Sequence, residues 1–542
     1  MSGIGQRFLD AGYREPKPLI EVDGQPMIAH VVNLFPGETR FTFICQEEHL
    51  RETRLPAVLK RIAPSGEIVS IPPHKKGPVY AVAQAFDRLD DDEEVIVNYC
   101  DFGTYWDYHD FLAHTRLRKA AGAIPAYRGF HPHMLGPTNY AFIRDDSQWL
   151  LEIREKQPFT ANRLQEYASN GTYYFQKGAD VKKYFTLLMA RDINTAGEYY
   201  VSMVYNLMVA NHLKVSVYEI QHMLQWGTPR DLAEYQKWSD CFRRLIEAPP
   251  VIKPQPNSIN LIPLAGRGDR FQQAGYQLPK PLLPVSGKPM VVQAAAALPP
   301  AEHLIFVCLG EHLDSSPLAS DLGTANPKAI IVRLDQVTEG QAVTCRHGLD
   351  GQDPEAPLLI AACDNGILYD PENYNKLLND DDIDAIIWTF SRHPSSAGNP
   401  HMYGWVQVDE ANKAGRVSVK IPISDDPYHD QAVMGAFFFR KVKYFYEGYE
   451  RLRAKNERVN NEFYLDSLMQ ELIELGYTVN VFEVDHYIGW GTPDDYRTFN
   501  YWQSFFHKCQ WHPYRLTQDP TVDSRALENL TREFETFGQP HR

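Results

Sequence analysis

The sequence has few of the residues that staple or anchor a chain. Seven cysteines stand among 542 residues, an odd number, and no two have the CxxC spacing of a zinc or redox site. Cys45, Cys100, Cys241, Cys308, Cys345, Cys363 and Cys509 mostly lie in apolar runs such as FTFIC and LIFVC. Free buried thiols in a reducing compartment are therefore expected. No leader pattern opens the chain, and no apolar run is long enough to span a bilayer, so a cytoplasmic protein without membrane insertion is expected. Positive charge is also short: the formal net charge is -15. That excludes a general nucleic-acid binder, which needs a basic face. It does not exclude a nucleotide site, for which a few local Lys and Arg suffice. The chain also lacks a nucleophile elbow and the hexapeptide repeat of a β-helix.

What is present is a long internal repeat. MSGIGQRFLDAGYREPKPLIEVDGQPM begins at Met1, and LAGRGDRFQQAGYQLPKPLLPVSGKPM begins at Leu264. Phe8 matches Phe271, Lys17 matches Lys280 and Asp101 matches Asp364, all 263 positions apart. Further on the spacing becomes 264, pairing Gly171 with Gly435, Trp226 with Trp490 and Trp238 with Trp502. Chance does not hold one register over such a length. Two homologous domains follow, at residues 1–248 and 259–506, joined by the proline-rich linker 249–258 and followed by a tail, 507–542. One weak helical pattern, SRALENLTREFETF, lies in the tail.

In each copy short runs rich in Ile, Val and Leu alternate with helical segments. INLIPLA, HLIFVCLG, AIIVRL, PLLIAAC and DAIIWTF read as buried strands; PMVVQAAAAL and FYLDSLMQELIELG read as helices. The pattern predicts an α/β fold of two tandem Rossmann-like domains with mostly parallel sheets. Ligands of such sheets sit at the carboxyl ends of the strands. Copy two has INLIP ahead of its glycine loop, whereas copy one begins at the loop itself. The first strand of copy one therefore reads as missing, and a start upstream of Met1 is the expectation.

The strongest motif is GxGxRF, a GY turn, PKPL, then VxGxPM. It runs through Gly3, Gly5, Arg7 and Lys17 in copy one, and through Gly266, Gly268, Arg270 and Lys280 in copy two. Glycines let backbone N–H groups approach phosphate closely. Arg adds a forked donor and Lys a compact positive charge. These residues resemble the signature of the sugar-phosphate nucleotidylyltransferase superfamily, and the resemblance covers both copies almost end to end. It implies tandem GT-A-like nucleotidyltransferase domains. It also implies that the glycine loop and Arg7 or Arg270 hold a triphosphate, while Lys17 or Lys280 meets phosphate during attack on the α-phosphorus.

An Asp follows a buried strand in each copy: Asp101 in VIVNYCDFG and Asp364 in LLIAACDNG. A carboxylate there needs a partner, and Mg²⁺ bound through one carboxylate and phosphate oxygens is a natural one. A helix N-cap is the alternative reading. The resemblance implies a magnesium ligand, and often a second Asp near WGTP. Copy two offers Asp485 for this, with a surface turn as its other reading, whereas copy one has Gln221 at the matching place. Two positions before the WGTP glycine stand Gln225 and Gly489, where some relatives have Asp. Gly77 and Gly340, the latter followed by Gln341, occupy the loop where the family reads its nucleobase. Lys156 and Lys420 match an EKP-like position that meets the acceptor's phosphate. Glu198 and Glu462, with Gly171 and Gly435, match the acceptor side. His133 and His401, in PHM, read either as acceptor groups or as structural hydrogen-bonding residues.

The expected activity joins an NTP to a sugar phosphate or similar phosphorylated small molecule, with Mg²⁺ as cofactor and pyrophosphate as product, for surface-polysaccharide precursors. Two rival readings stand beside it. One copy, the first by preference, is a binding or regulatory domain; or the protein is a nucleotide-sugar-dependent glycosyltransferase. The sequence is compatible with an oligomer.

Overall fold

The computed structural model describes residues 1, 3, 5–247 and 252–536. Residues 249–251 of the proline-rich stretch and 537–542 of the tail lie outside these. The chain forms two compact units. The first is Met1–Ser239 with Ser504–Pro513 and the segment from Glu533; the second is Asp240–Gln503 with Tyr514–Arg532. Both are α/β and Rossmann-like.

In the second unit the main sheet has the strand order Ile330–Leu334, Ala301–Leu309, Gln255–Leu264, Leu358–Ala361, Gln431–Phe439, Ala385–Phe390, Val479–Glu483. The first four run parallel. Gln431–Phe439 is antiparallel to both neighbours, and the last two are again parallel. Side chains alternate between two cores, as the period of a strand requires. Ile259, Leu261, Ile305 and Val307 enter one, and Ile262, Leu264, Phe306 and Cys308 the other. Burial on both faces explains why these strands read as unbroken apolar runs. Gln255–Ser258, assigned to the linker by composition, open the first of these strands, with a register irregularity before Ile259.

The first unit has matching strands that pair differently. Thr42–Gln46 pairs in parallel with Glu67–Ile71. A second sheet runs Tyr167–Ser169, Ala141–Asp146, Trp149–Glu155, Val215–Glu219, Gly122–Tyr127, Thr172–Phe175, Val95–Asn98. In the second unit Gln255–Leu264 joins the counterparts of Thr42–Gln46 and Val95–Asn98 by pairing with both. Among the described residues no strand does so in the first unit. Accordingly Val95 and Ile96 are only half-buried, while the matching Leu358 and Leu359 are buried.

A two-stranded ladder stands beside each sheet: Phe102–Tyr105 with His222–Gln225, and Asn365–Leu368 with His486–Gly489. A long helix follows each, Pro229–Leu245 and Pro493–Lys508. The tail helix is Leu527–Glu535. None of the seven cysteines forms a disulfide among the described residues. Among the described residues no helix is long and apolar enough to cross a membrane.

Candidate active site

Each glycine loop turns sharply into a short helix. Gly5 (φ 69°) precedes Gln6–Asp10 and Gly268 (φ 71°) precedes Asp269–Gln273. Left-handed backbone here favours glycine. Space does too: a Cβ on Gly268 would stand 3.0 Å from the Cβ of Lys280. Gly3 and Gly266 have nothing within 4 Å of such a Cβ, leaving open room above the loop. Arg7 and Arg270 are exposed on these helices, and neither guanidinium has a hydrogen-bond or ion-pair partner among the described residues.

PKPL forms a single 3-10 turn in each copy, Lys17–Leu19 and Lys280–Leu282, with its Pro and Leu buried. The turn aims the lysine at the aspartate that ends the central strand. Lys17 Nζ donates to Asp101 Oδ2 at 2.6 Å and to the Gly227 carbonyl at 2.9 Å. Lys280 Nζ donates to Asp364 Oδ2. Desolvation favours a neutral Lys280, but the carboxylate of Asp364 outweighs it and the pKa is raised. The lysine stays charged.

The glycine of WGTP lets the next turn approach the same carboxylate. A Cβ on Gly491 would lie 3.0 Å from Asp364 Oδ2, and one on Gly227 would meet Gln225 Nε2 at 2.8 Å and Asp101 Oδ2 at 3.5 Å. Across the cleft stand two carboxylates that sequence reasoning missed, Asp231 and Asp495. Thr228 Oγ1 donates to Asp231 at 2.6 Å, and Thr492 Oγ1 to Asp495 at 2.7 Å. Burial raises both pKa values; Asp364 raises Asp495 further, while Lys17 and Arg7 oppose the rise at Asp231. The GTPxD spelling in both copies was the available signal, but it reads first as a helix cap.

Asp485 is not brought to this cluster. It precedes His486–Gly489, whose other end, Gly489, lies opposite Asn365 beside Asp364. Four residues of strand separate the two, roughly 13 Å at about 3.3 Å per residue. Asp485 forms an ion pair with Arg244 at 2.8 Å instead. The matching Gln221 accepts from Lys508 Nζ at 3.1 Å. Gln225, by contrast, is at the site beside Asp101, while Gly489 offers no side chain there.

The loop of Gly77 or Gly340 is strapped to the loop of Glu198 or Glu462. Tyr199 N–H donates to Lys76 O at 3.0 Å and Val79 N–H to Tyr199 O at 3.1 Å. Phe463 N–H donates to Glu339 O at 2.8 Å and Ala342 N–H to Phe463 O at 3.1 Å. A Cβ on Gly77 would sit 2.7 Å from Tyr199 N, and one on Gly340 2.6 Å from Phe463 N. Both positions have positive φ, 81° and 120°. Gln341 is exposed at the first turn of the helix Gln341–Gly348.

Lys156 and Lys420 both adopt left-handed backbone, φ 58° and 60°, an uncommon state for a non-glycine residue. Lys156 N–H donates to Tyr140 O and Lys420 N–H to Tyr403 O, at 2.8 and 3.0 Å. Each lysine meets a tyrosine that the sequence reading passed over. Lys156 Nζ donates to Tyr200 OH at 2.8 Å, and Tyr200 OH donates to Glu198. Lys420 Nζ lies 5.1 Å over the ring of Tyr464. Burial, then the neighbouring glutamate, raises the pKa of both phenols. Gly171 (φ 98°) and Gly435 (φ 86°) accept at their carbonyls from Tyr99 and Ala362, two residues before Asp101 and Asp364. His133 is half-buried, its Nε2 3.0 Å from Tyr127 OH, and desolvation keeps it neutral. His401 is exposed, its Nδ1 3.1 Å from Lys420 O.

Among the described residues no three His, Cys, Asp or Glu side chains converge on a metal position. The donor set therefore does not fit a metal held by protein alone. It fits magnesium that takes one carboxylate and draws its other ligands from phosphate and water.

The MobA-like NTP transferase domain family matches residues 2–163 and again 261–417, together more than half of the chain. Among solved structures, a nucleoside-diphosphate-sugar pyrophosphorylase from Vibrio cholerae RC9 is 21% identical, with a TM-score of 0.37 over 44% of this chain and 98% of that one. The inositol-1-phosphate CTP transferase from T. maritima is 16% identical, with a TM-score of 0.37 over 46% of this chain and 96% of that one. No curated protein matched.

Proposed function

Since the chain belongs, through both copies, to the MobA-like NTP transferase domain family, we propose that it is a nucleotidylyltransferase whose second copy does the work. The acceptor's phosphate attacks the α-phosphorus of an NTP in line, a new P–O bond forms, the α–β bridging bond breaks and pyrophosphate leaves. The observation that carries this reading is Arg270, without a hydrogen-bond or ion-pair partner among the described residues and acting electrostatically on Lys280 of the Lys280–Asp364 pair, at the carboxyl ends of Gln255–Leu264 and Leu358–Ala361. It is a concentrated phosphate cradle with open space over Gly266. Arg270 and Lys280 hold and neutralise the polyphosphate, and the chain's contribution is positioning and charge. Asp364, with Asp495 across the cleft, is where magnesium would be held, and the ion would further screen the phosphate charge. Lys420 meets the acceptor's phosphate, and Glu462 its polar groups. Surface-polysaccharide precursors are the products that family analogy favours.

A binding or regulatory role suits the first copy. Gln225 stands beside Asp101 there, where the second copy has Gly489 and no side chain. A pyrophosphate-release screen over the four NTPs and a set of sugar phosphates tests both readings. Wild-type protein is expected to respond to one pairing, and Lys280→Ala to abolish the response. Full activity in Lys280→Ala would remove the second copy from the reaction.

A further inference from the structure

The hairpin that carries the lysine 156 or 420 differs between the copies at three linked positions. In the first copy Ala141 lies opposite Glu155. Glu155 is half-buried, and its Oε2 accepts from Ser202 Oγ at 2.6 Å. In the second copy Gly404 lies opposite Val419, and the helix position matching Ser202 is Asp466. A carboxylate has left the strand and another has arrived from the helix.

The loss of a methyl group at Gly404 makes the exchange possible. A Cβ there would stand 2.0 Å from Asp466 Oδ1 and 2.8 Å from its Cγ. The carboxylate occupies the volume that Ala141 fills in the other copy. Asp466 is 8% exposed, and its Oδ1 has no hydrogen-bond partner. No ion pair reaches it among the described residues; Lys420 acts on it only at longer range. A buried carboxylate oxygen without a donor destabilises the fold, so this arrangement is poor as structure. Burial holds its pKa up, at about 6.

We infer that Asp466 determines acceptor specificity in the second copy, accepting a hydrogen bond from a hydroxyl or ammonium group of the acceptor whose phosphate Lys420 meets. The inference rests on the nucleotidyl-transfer reading. In the first copy the carboxylate comes from the opposite wall and is already bonded to Ser202, so a ligand there would meet a different wall.

The test uses the full chain carrying Lys17→Ala, so that only the second copy reports. Pyrophosphate release is measured with glucose 1-phosphate, myo-inositol 1-phosphate and phosphoethanolamine, with methyl phosphate as the phosphate that lacks a donor. Magnesium–NTP binding is followed separately by calorimetry. A donor-bearing acceptor is expected to react and methyl phosphate to fail. Asp466→Asn should raise the acceptor KM by on the order of tenfold or more, the loss expected for a hydrogen bond to a charged group, with NTP affinity unchanged. Gly404→Ala, which crowds the carboxylate from the strand side, should do the same. Which of the three acceptors reacts separates hydroxyl from ammonium. Unchanged KM in both variants, equal use of methyl phosphate, or no reaction from the donor-bearing set while NTP binds would each overturn the inference. Absence of NTP binding in the parent would remove the nucleotidyl-transfer reading itself, and this inference with it.

Discussion

The two copies agree in the glycine loop and the lysine–aspartate pair below it and differ in the walls around them. Glycine loop, arginine, lysine turn and strand-end aspartate recur with the same contacts, Lys17 on Asp101 and Lys280 on Asp364. The walls have diverged: Ala141, Glu155 and Ser202 in one, Gly404, Val419 and Asp466 in the other. Among the described residues the sheet behind the loop also differs, continuous in the second copy and unpaired between Thr42–Gln46 and Val95–Asn98 in the first. A cradle made of one loop and one turn is locally determined. It persists while the surrounding sheet and walls change.

That comparison breaks most easily at the lysines. Lys280→Ala should lower turnover by about two to three orders of magnitude, the usual cost of removing one charge-stabilising donor, whereas Lys17→Ala should leave most of it. Equal losses, read by pyrophosphate release, would make the copies equivalent workers. Next come the straps. Gly340→Ala places a Cβ 2.6 Å from Phe463 N at φ 120°, and about 2–4 kcal/mol of stability should be lost. Chemical denaturation checks this, and Gly77→Ala should behave alike if both straps serve the same purpose.

A smaller effect depends on pH. Burial raises the Asp466 pKa from 3.8 to about 6. The folded state therefore holds that proton more tightly than the unfolded chain, and stability falls as pH rises from about 4 through 6. Asp466→Asn removes the charge. It should be more stable than the parent by up to about 3 kcal/mol above pH 7, and the gain should vanish near pH 4. Ser202→Asn in the first copy, where no buried charge is removed, should show no such pH-linked gain. The smallest effect is at Asp485. Its pair with Arg244 is partly exposed, so Asp485→Ala should cost at most about 1 kcal/mol and leave magnesium–NTP affinity unchanged by calorimetry.

Much of the fold could be read directly. The repeat gave two copies, and the runs from Ile259, His303 and Leu358 became strands because burial on both faces demands continuous apolar residues. The pairing of each PKPL lysine with a strand-end aspartate joins residues that were already singled out in the sequence, because they sit in fixed spacing on one turn and one strand end. The walls were not legible. Asp485 reads as a site residue from its neighbours WGTP, yet the antiparallel ladder carries it to the far end. Tyr200 and Tyr464 were masked by the glutamates beside them. The change in repeat spacing from 263 to 264 hid the wall exchange. At 264, Gly404 matches Tyr140; the hydrogen bonds from Lys156 and Lys420 show that its true partner is Ala141.

The strapping of Gly340 to Phe463 has a practical consequence. Backbone bonds weld two segments more than a hundred residues apart into one bracket, with Glu339 also tied to Arg453 and Arg458. Neither arm can be redesigned alone. Grafting a foreign loop at Glu339–Gln341 without its matching Val459–Phe463 segment would misalign both, so any engineered change of substrate must transplant the bracket whole.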